Sequence, residues 1–383
     1  MAALRQGASF RQVARRFQIS LSTAWKWYHR AQGQRLQRVD WQDRPRGNPR
    51  PSNRAPKAIV KRILSLRSWL KNHCPLGEFG AKAIRRQLLQ EKVPAPPCTR
   101  TIERILGREG LLLSTHRRRF VPPPPGWYLP DLAKGSVELD TFDFVEDLAI
   151  CGGPSVAVLN GISLYGSLAA AWPQTAFTTL DVLACLPAHW RLFGLPHYAQ
   201  FDNDTRFQGP HSLPGRLGRV VHLCLCLGLV PVFSPPRETG FQAKIESFNH
   251  LWQAKVWHRR QHTRLAGLQK HSTQFVQAHR QRHAARIETA PLRQPLSGIL
   301  SHQIRQPLII FLRRTTDRGT ISVLETSVPV DKKWPNRLVR CQLNALTGDL
   351  TVHALRRRQP EWQPLLATIK LLVKITPWHL HKS

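Results

Sequence analysis

Val137-Glu-Leu-Asp-Thr-Phe-Asp-Phe-Val145 decides how the chain is read. Aromatic and branched residues make it a strand, yet it carries Asp140 and Asp143 among its apolar side chains. A buried carboxylate is costly unless it is paired or binds a cation. Working outward, Ser155–Trp172 reads as a hairpin with Asn160-Gly161 at its turn. Thr179–Gly194 reads as a helix, His197–Asp202 as a short strand, Arg216–Leu229 as a helix and Val230–Phe233 as a buried strand. A helix follows from Lys244 to about Arg260. Early strands followed by alternating strands and helices predict an α/β core over 131–260.

The charge distribution divides the chain into the same parts. The net charge is +34, large enough to call for a polyanionic partner, and nucleic acid is the usual one. Residues 1–119 carry 27 basic and 6 acidic side chains, residues 120–235 carry 5 and 9, and residues 236–383 carry 25 and 8. Two basic arms therefore flank an acidic block. Carboxylates facing phosphate gain nothing by themselves, so the block suggests cation binding. Seven irregularly spaced cysteines fit a reduced, cytosolic protein. The longest apolar run, Val220–Phe233, is too short to span a bilayer.

The basic N-terminal arm has two candidate DNA-binding modules. Over 1–39, Ser9 is placed to cap one helix, and Ser20 or Ser22 a second, in a helix-turn-helix pattern. Arg11, Arg15, Arg16, Lys26 and Arg30 are its candidate phosphate contacts, with the second helix in the major groove. A Pro- and Arg-rich linker spans 40–56. A second helix-turn-helix module spans 57–119, with Thr99 as a cap, Arg117-Arg118-Arg119 near its end and the stiff Phe120–Pro130 segment beyond. A basic helical region covers 261–300, and short alternating strands over 305–358 predict a small β-barrel that contacts DNA.

Asp202 ends its strand and Glu246 sits on the following helix. Asp140, Asp202 and Glu246, converging from two strands and a helix, would make a hard-oxygen site suited to Mg²⁺. Asp143 lies three residues from Asp140 and so faces the other side of the strand. Glu238 lies in a Pro-rich loop and is poorly fixed. Lys244, close to Glu246, is a candidate phosphate contact. His258/His262 and His279/His283 have metal-compatible spacing, but arginines fill the gaps, which favours a solvated DNA-facing helix.

Asp140 in its strand, then Pro-His-Tyr-Ala-Gln-Phe-Asp202-Asn, then Phe-Ser-Pro-Pro and Ala-Lys-Ile-Glu246-Ser-Phe-Asn, resembles the Asp-Asp-Glu core of insertion-sequence transposases and retroviral integrases. The resemblance implies a ribonuclease-H-like core and catalytic, metal-binding roles for Asp140, Asp202 and Glu246. It implies two Mg²⁺ ions, or Mn²⁺ in their place, double-stranded DNA as element end and target, and an oligomer that holds two ends together. A bacterial cytoplasmic protein associated with the nucleoid is the expectation. The sequence departs from the pattern at Asp204 and Ala243, where glycine is common. Gln208–Arg216 reads as a surface insertion that lengthens the Asp202–Glu246 interval. A tyrosine recombinase is disfavoured because the last tyrosine is Tyr198. The non-enzymatic alternative is a transposase-derived DNA-binding protein with an inactive core.

Overall fold

The computed structural model describes residues 1–42, 55–112, 125–238, 240–298, 300–357 and 359–378. Arg117-Arg118-Arg119, Arg358 and most of the 40–56 linker lie outside them. The chain divides into two compact units, Met1–Val60 and Lys61–Ser383.

In the first unit α1 (Ala2–Arg5), α2 (Phe10–Arg16) and α3 (Leu21–Ala31) form the expected helix-turn-helix. Ser9 caps α2 in a reciprocal capping box with Gln12, and Ser20 caps α3 by accepting from the Thr23 amide. Gln18 takes a positive φ of 52° to make the turn between them. Val13, Ala14, Ala24 and Ala31 are buried between the helices, whereas Phe17 is 56% exposed.

Next come α4 (Lys57–His73), most of which lies in the second unit, α5 (Ala81–Gln90) and α6 (Thr99–Arg108). Ile63, Leu66, Ile84, Leu88, Ile102 and Leu106 are buried on their inner faces. The residue preceding α6 is Cys98, and no side chain caps that helix, so Thr99 starts the helix rather than capping it. This helical module is docked on the core. Arg259 donates to the carbonyls of Cys74 and Asn72, at 2.6 and 3.1 Å, and satisfies chain ends left open after α4.

After α7 (Pro130–Ala133) the core begins. Its strands are β1 (Leu139–Ala149), β2 (Ser155–Ser163), β3 (Ala169–Gln174), β4 (Tyr198–Phe201), β5 (Arg216–Leu217) and β6 (Val230–Phe233). Its helices are α8 (Thr179–Phe193), α9 (Thr205–Gln208), α10 (Arg219–Leu227) and α11 (Ala243–Trp252), the last running into a π-helical turn at Gln253–Trp257. Then come α12 (Leu265–Arg282) and α13 (Ala284–Glu288). The remaining strands are β7 (Leu308–Arg314), β8 (Thr320–Val323), β9 (Thr326–Pro329), β10 (Leu338–Asn344), β11 (Asp349–Ala354), β12 (Leu365–Lys370) and β13 (Lys374–Ile375).

The hairpin β1–β2 is antiparallel, and β1, β4, β6 and β7 run parallel to one another. Asn160-Gly161 is not the turn between β2 and β3. It lies within β2, opposite Asp143 and Phe142, and the chain reverses at 164–168 instead. Glycine is required at 161 by packing, because a Cβ there would lie 2.6 Å from the Phe142 ring.

Among the described residues no separate C-terminal barrel forms. One open sheet of nine strands runs in the order β12-β11-β10-β7-β6-β4-β1-β2-β3. The reason is legible in Leu308–Arg314. Ile309 and Phe311 pack on one face with α8 and α10, while Ile310 and Leu312 pack on the other with Tyr128 and Phe241. A strand apolar on both faces needs cover on both sides. The Gln208–Arg216 insertion is also structural, since its end, β5, pairs with β13 from the far end of the chain. Among the described residues no helix is long and apolar enough to cross a membrane.

Candidate functional site

The parity of β1 determines what each of its carboxylates meets. Asp140, Phe142 and Phe144 point to the face covered by α8 and α10, where Phe142 packs in a T-shaped contact with Trp190. Thr141, Asp143 and Val145 point to the opposite face, where Val145 packs with Ile245, Phe248 and Trp252 of α11. Glu246 is on α11. Only the second face can bring a β1 carboxylate toward it.

Asp140 is 1% exposed and fully engaged. Arg293 grips both its oxygens, donating to Oδ2 from Nη1 at 3.1 Å and to Oδ1 from Nη2. Trp190 Nε1 donates to Oδ2 at 3.1 Å. This carboxylate is half of a buried ion pair that ties the segment after α13 to the sheet. Against the expectation for Asp140, the structure turns it to the side of the sheet away from Glu246, with Arg293 compensating its charge.

Asp143 is the β1 carboxylate on the face that α11 covers. Extending the β1–β4 register, in which Thr141 lies beside Gln200, sets Asp143 beside Asp202 just past the end of β4. Asn249, one turn along α11 from Glu246, donates from Nδ2 to Asp143 Oδ2 at 2.7 Å. Asn160 donates in turn to Asn249 Oδ1 at 2.8 Å. Burial pushes the Asp143 carboxyl up to about 7, with the negative charges of Asp202 and Glu246 adding to the effect. Burial also raises the Asp202 carboxyl, and the Asp204 amide, donating to Oδ1 at 3.1 Å, partly offsets this.

The neighbouring groups hold this geometry. Asp204 caps α9 and binds Arg206 through Nε and Nη2 at 2.8 and 2.6 Å. Arg206 also reaches Glu146 at 2.8 Å and stacks over the Phe144 ring at 3.7 Å. These contacts pull the Asp204 carboxyl below its usual range despite its burial. Behind Asp202, Asn203 donates to the Ser234 carbonyl at 2.8 Å and accepts from buried Arg313 of β7 at 2.9 Å. Burial drives the Arg313 guanidinium down to about 10. The C-terminal half of the sheet thus braces the loop that carries Asp202.

Asp143, Asp202 and Glu246 share a face without closing on one point. Among the described residues no group of three or more His, Cys, Asp or Glu side chains is arranged as a metal-holding cluster. The donor set still suits a hard divalent cation, being carboxylate oxygens whose mutual repulsion a cation would relieve. Glu238 is held away by Arg314.

Other expected site residues divide. Arg11, Arg15, Arg16 and Lys26 are exposed on the helix-turn-helix. Arg30 is engaged within the unit: it pairs with Asp40 at 2.9 Å, donates to the Gln42 carbonyl and lies over the Trp27 ring. Lys244 points away from the carboxylates, donating to Ser167 Oγ at 2.7 Å, with burial bringing its ammonium down to about 8. The histidines do not form a solvated DNA-facing stripe either. His262 and His279 are each 5% exposed, and His279 packs against Phe248 and Phe275.

Residues 1–38 match the family model of a homeodomain-like domain. No curated protein is similar enough to the rest of the chain, or to the whole, to count as a match. Solved structures that share features of the chain include the catalytic core domain of HTLV-2 integrase with magnesium, at 9% identity over 37% of this chain and 74% of that one, TM-score 0.25. The catalytic core of BIV integrase aligns at 14% identity over 36% and 80%, TM-score 0.27. A simian T-cell lymphotropic virus intasome in complex with PP2A regulatory subunit B56 gamma aligns at 11% identity over 76% and 91%, TM-score 0.32. Likenesses this loose add nothing to the geometry above.

Proposed function

We propose that the protein is a DNA transposase of the integrase type, which nicks DNA at element ends and joins them to a target. The observation that carries this reading is the grouping of Asp143, Asp202 and Glu246 on one face of a mixed sheet, in a chain that opens with a homeodomain-like domain. The order of the motifs quoted above supports it, with Asp143 in the place expected of Asp140.

In this reading the three carboxylates hold Mg²⁺, or Mn²⁺, as a pair of ions. When bound, the ions supply activation of the attacking oxygen and stabilisation of the leaving one. Water attacks phosphorus at the element end, the 3′-oxygen leaves as the free 3′-hydroxyl of the element strand, and the phosphate stays on the 5′ end of the flanking strand. The freed 3′-hydroxyl then attacks a target phosphodiester and expels a second 3′-oxygen, so no covalent protein–DNA intermediate is needed. Asn249 keeps Asp143 turned toward its partners. The exposed arginines of α2 hold DNA by its phosphates. Synapsis of two ends calls for an oligomer, and the reading places the protein on DNA in the bacterial cytoplasm.

A second reading, a DNA-binding protein with an inactive core, is favoured by one observation: the carboxylates do not close into a ligand cluster. Incubating the full chain with duplexes carrying the flanking ends, with Mg²⁺ or Mn²⁺, separates the two. Nicked and joined products that disappear in Asp202→Asn support the transposase. Tight end binding without products under either metal supports the inactive core.

A further inference from the structure

A second feature lies at the same edge and face of the sheet as the carboxylates. Because β4, β6 and β7 run parallel, Asp202, Ser234 and Leu312 come side by side, and β7 runs on two residues further to Arg314. The next strand, β10, runs back, so its first residue, Leu338, pairs with Arg314 at that edge. Arg314 shares the parity of Ile310 and Leu312, whose side chains pack with Phe241 on the face that Asp143 looks toward.

Beyond Arg314 opens a cleft of about 460 Å³. Three arginines, Arg314, Arg337 and Arg356, line it, and none of its lining residues is acidic. Trp334 forms its base. The Arg337 and Arg356 guanidiniums lie over the Trp334 ring at 4.7 and 5.1 Å. Arg356 also lies over Trp362 at 4.2 Å, and the two indoles are 6.2 Å apart. Stacking fixes the planes of the guanidiniums and leaves their N–H edges to meet an oxyanion, so little side-chain entropy is lost on binding. Arg314 is held by Glu238 and by the Asn336 carbonyl, which joins the cleft to the loop leading into α11.

From Asp202 to Leu338 there are three strand intervals of ~4.8 Å and an offset of two residues at ~3.3 Å each along the strand, roughly 16 Å in all. A DNA strand advances ~3.4 Å per nucleotide along the helix axis and also winds around it, so only a few nucleotides cover that span. We infer that the Trp334 cleft is a phosphate-binding site for the DNA strand engaged at the carboxylates, gripping its backbone a few nucleotides from the phosphate seated there. The inference rests on the transposase reading for the identity of the ligand, and deepens it by naming where the strand runs.

The test uses the full chain and a fluorescent end duplex in EDTA, so that binding is read without chemistry. Arg337→Gln/Arg356→Gln removes two exposed cleft charges. Lys332→Gln/Lys333→Gln removes two exposed charges that do not line the cleft. Each phosphate contact contributes ~0.9 to the slope of log affinity against log salt. The arginine double variant is expected to lower that slope by nearly 2, and the lysine double variant by much less. A scan of single, uncharged methylphosphonate linkages should show a position at which the parent loses affinity and the arginine variant loses no more. Equal slopes for parent and arginine variant, or equal losses for the two double variants, would overturn the inference. A parent that never nicks DNA yet shows this slope change would sink the transposase reading and leave the cleft standing as a phosphate site.

Discussion

Asn249 donates a hydrogen bond to Asp143 across 2.7 Å, three residues along α11 from Glu246. That bond places Asp143 on the face of the sheet that α11 covers. Asp140, on the same strand, faces α8 and is closed off by Arg293. If the bond to Asn249 orients the Asp143 carboxylate, its loss acts like the loss of any outer partner of a ligand. Asn249→Ala should retain the fold and lower metal-dependent nicking by about 10- to 100-fold. Raised metal concentration should restore part of the loss, as read from a Mg²⁺ titration of the nicking rate.

Asp143 also predicts a pH-dependent stability. Burial pushes its folded carboxyl up to about 7 from the 3.8 of an exposed aspartate, so the folded state holds a proton that the unfolded state releases. Stability therefore falls as pH rises between those values, and the penalty is complete above about 7. Asp143→Asn should raise the metal-free melting temperature at pH 8 by roughly 2 °C or more. The gain should vanish below about pH 4, where Asp143 is protonated in both states. Melting curves of parent and variant at pH 4 and pH 8 check the sign.

Much of this was readable in the sequence. The strands β1, β4 and β6 and the helices α8, α10 and α11 follow from apolar periodicity, and the two serine caps of the helix-turn-helix from residue type. Strand alternation also showed that Asp140 and Asp143 face opposite ways. It could not say which face α11 would cover, because that depends on a helix a hundred residues away. Arg293, Arg313 and Asn249 were invisible for the same reason: each acts across long sequence separation. Leu308–Arg314 was read as a barrel strand although its consecutive apolar residues, Leu308 to Leu312, already signalled burial on both faces.

The continuity of the sheet makes the C-terminal strands part of the core. A fragment ending near residue 304 would expose the edge of β6 and the apolar surfaces that Ile309, Phe311, Val339 and Cys341 cover. It should aggregate or lose its near-ultraviolet circular dichroism, whereas a chain with an independent C-terminal barrel would leave a folded, soluble core.

The ion pair of Asp140 and Arg293 should matter for stability. Breaking one side of a buried pair costs about 3–5 kcal/mol because the other charge is left unpaired. Arg293→Gln should lower urea stability by that order, and Asp140→Asn likewise. Their double variant should cost less than the sum. Additive losses would show that the two side chains act independently.

On the helix-turn-helix, Arg15→Gln and Arg16→Gln should each lower the salt slope of DNA binding by ~0.9. Arg30→Gln should leave that slope unchanged, since Arg30 already pairs with Asp40. Equal effects of all three would contradict the ion pair as the resting partner of Arg30.

The central claim is that Asp143, not Asp140, works with Asp202 and Glu246. The most direct measurement is nicking and joining of end DNA with Mg²⁺ or Mn²⁺ by Asp143→Asn and Asp140→Asn, each at a temperature at which its circular dichroism shows it folded. The account predicts that Asp143→Asn loses more than about 100-fold in rate, beyond the effect of an outer-shell change, while folded Asp140→Asn keeps most of its activity. An inactive, folded Asp140→Asn beside an active Asp143→Asn would contradict it.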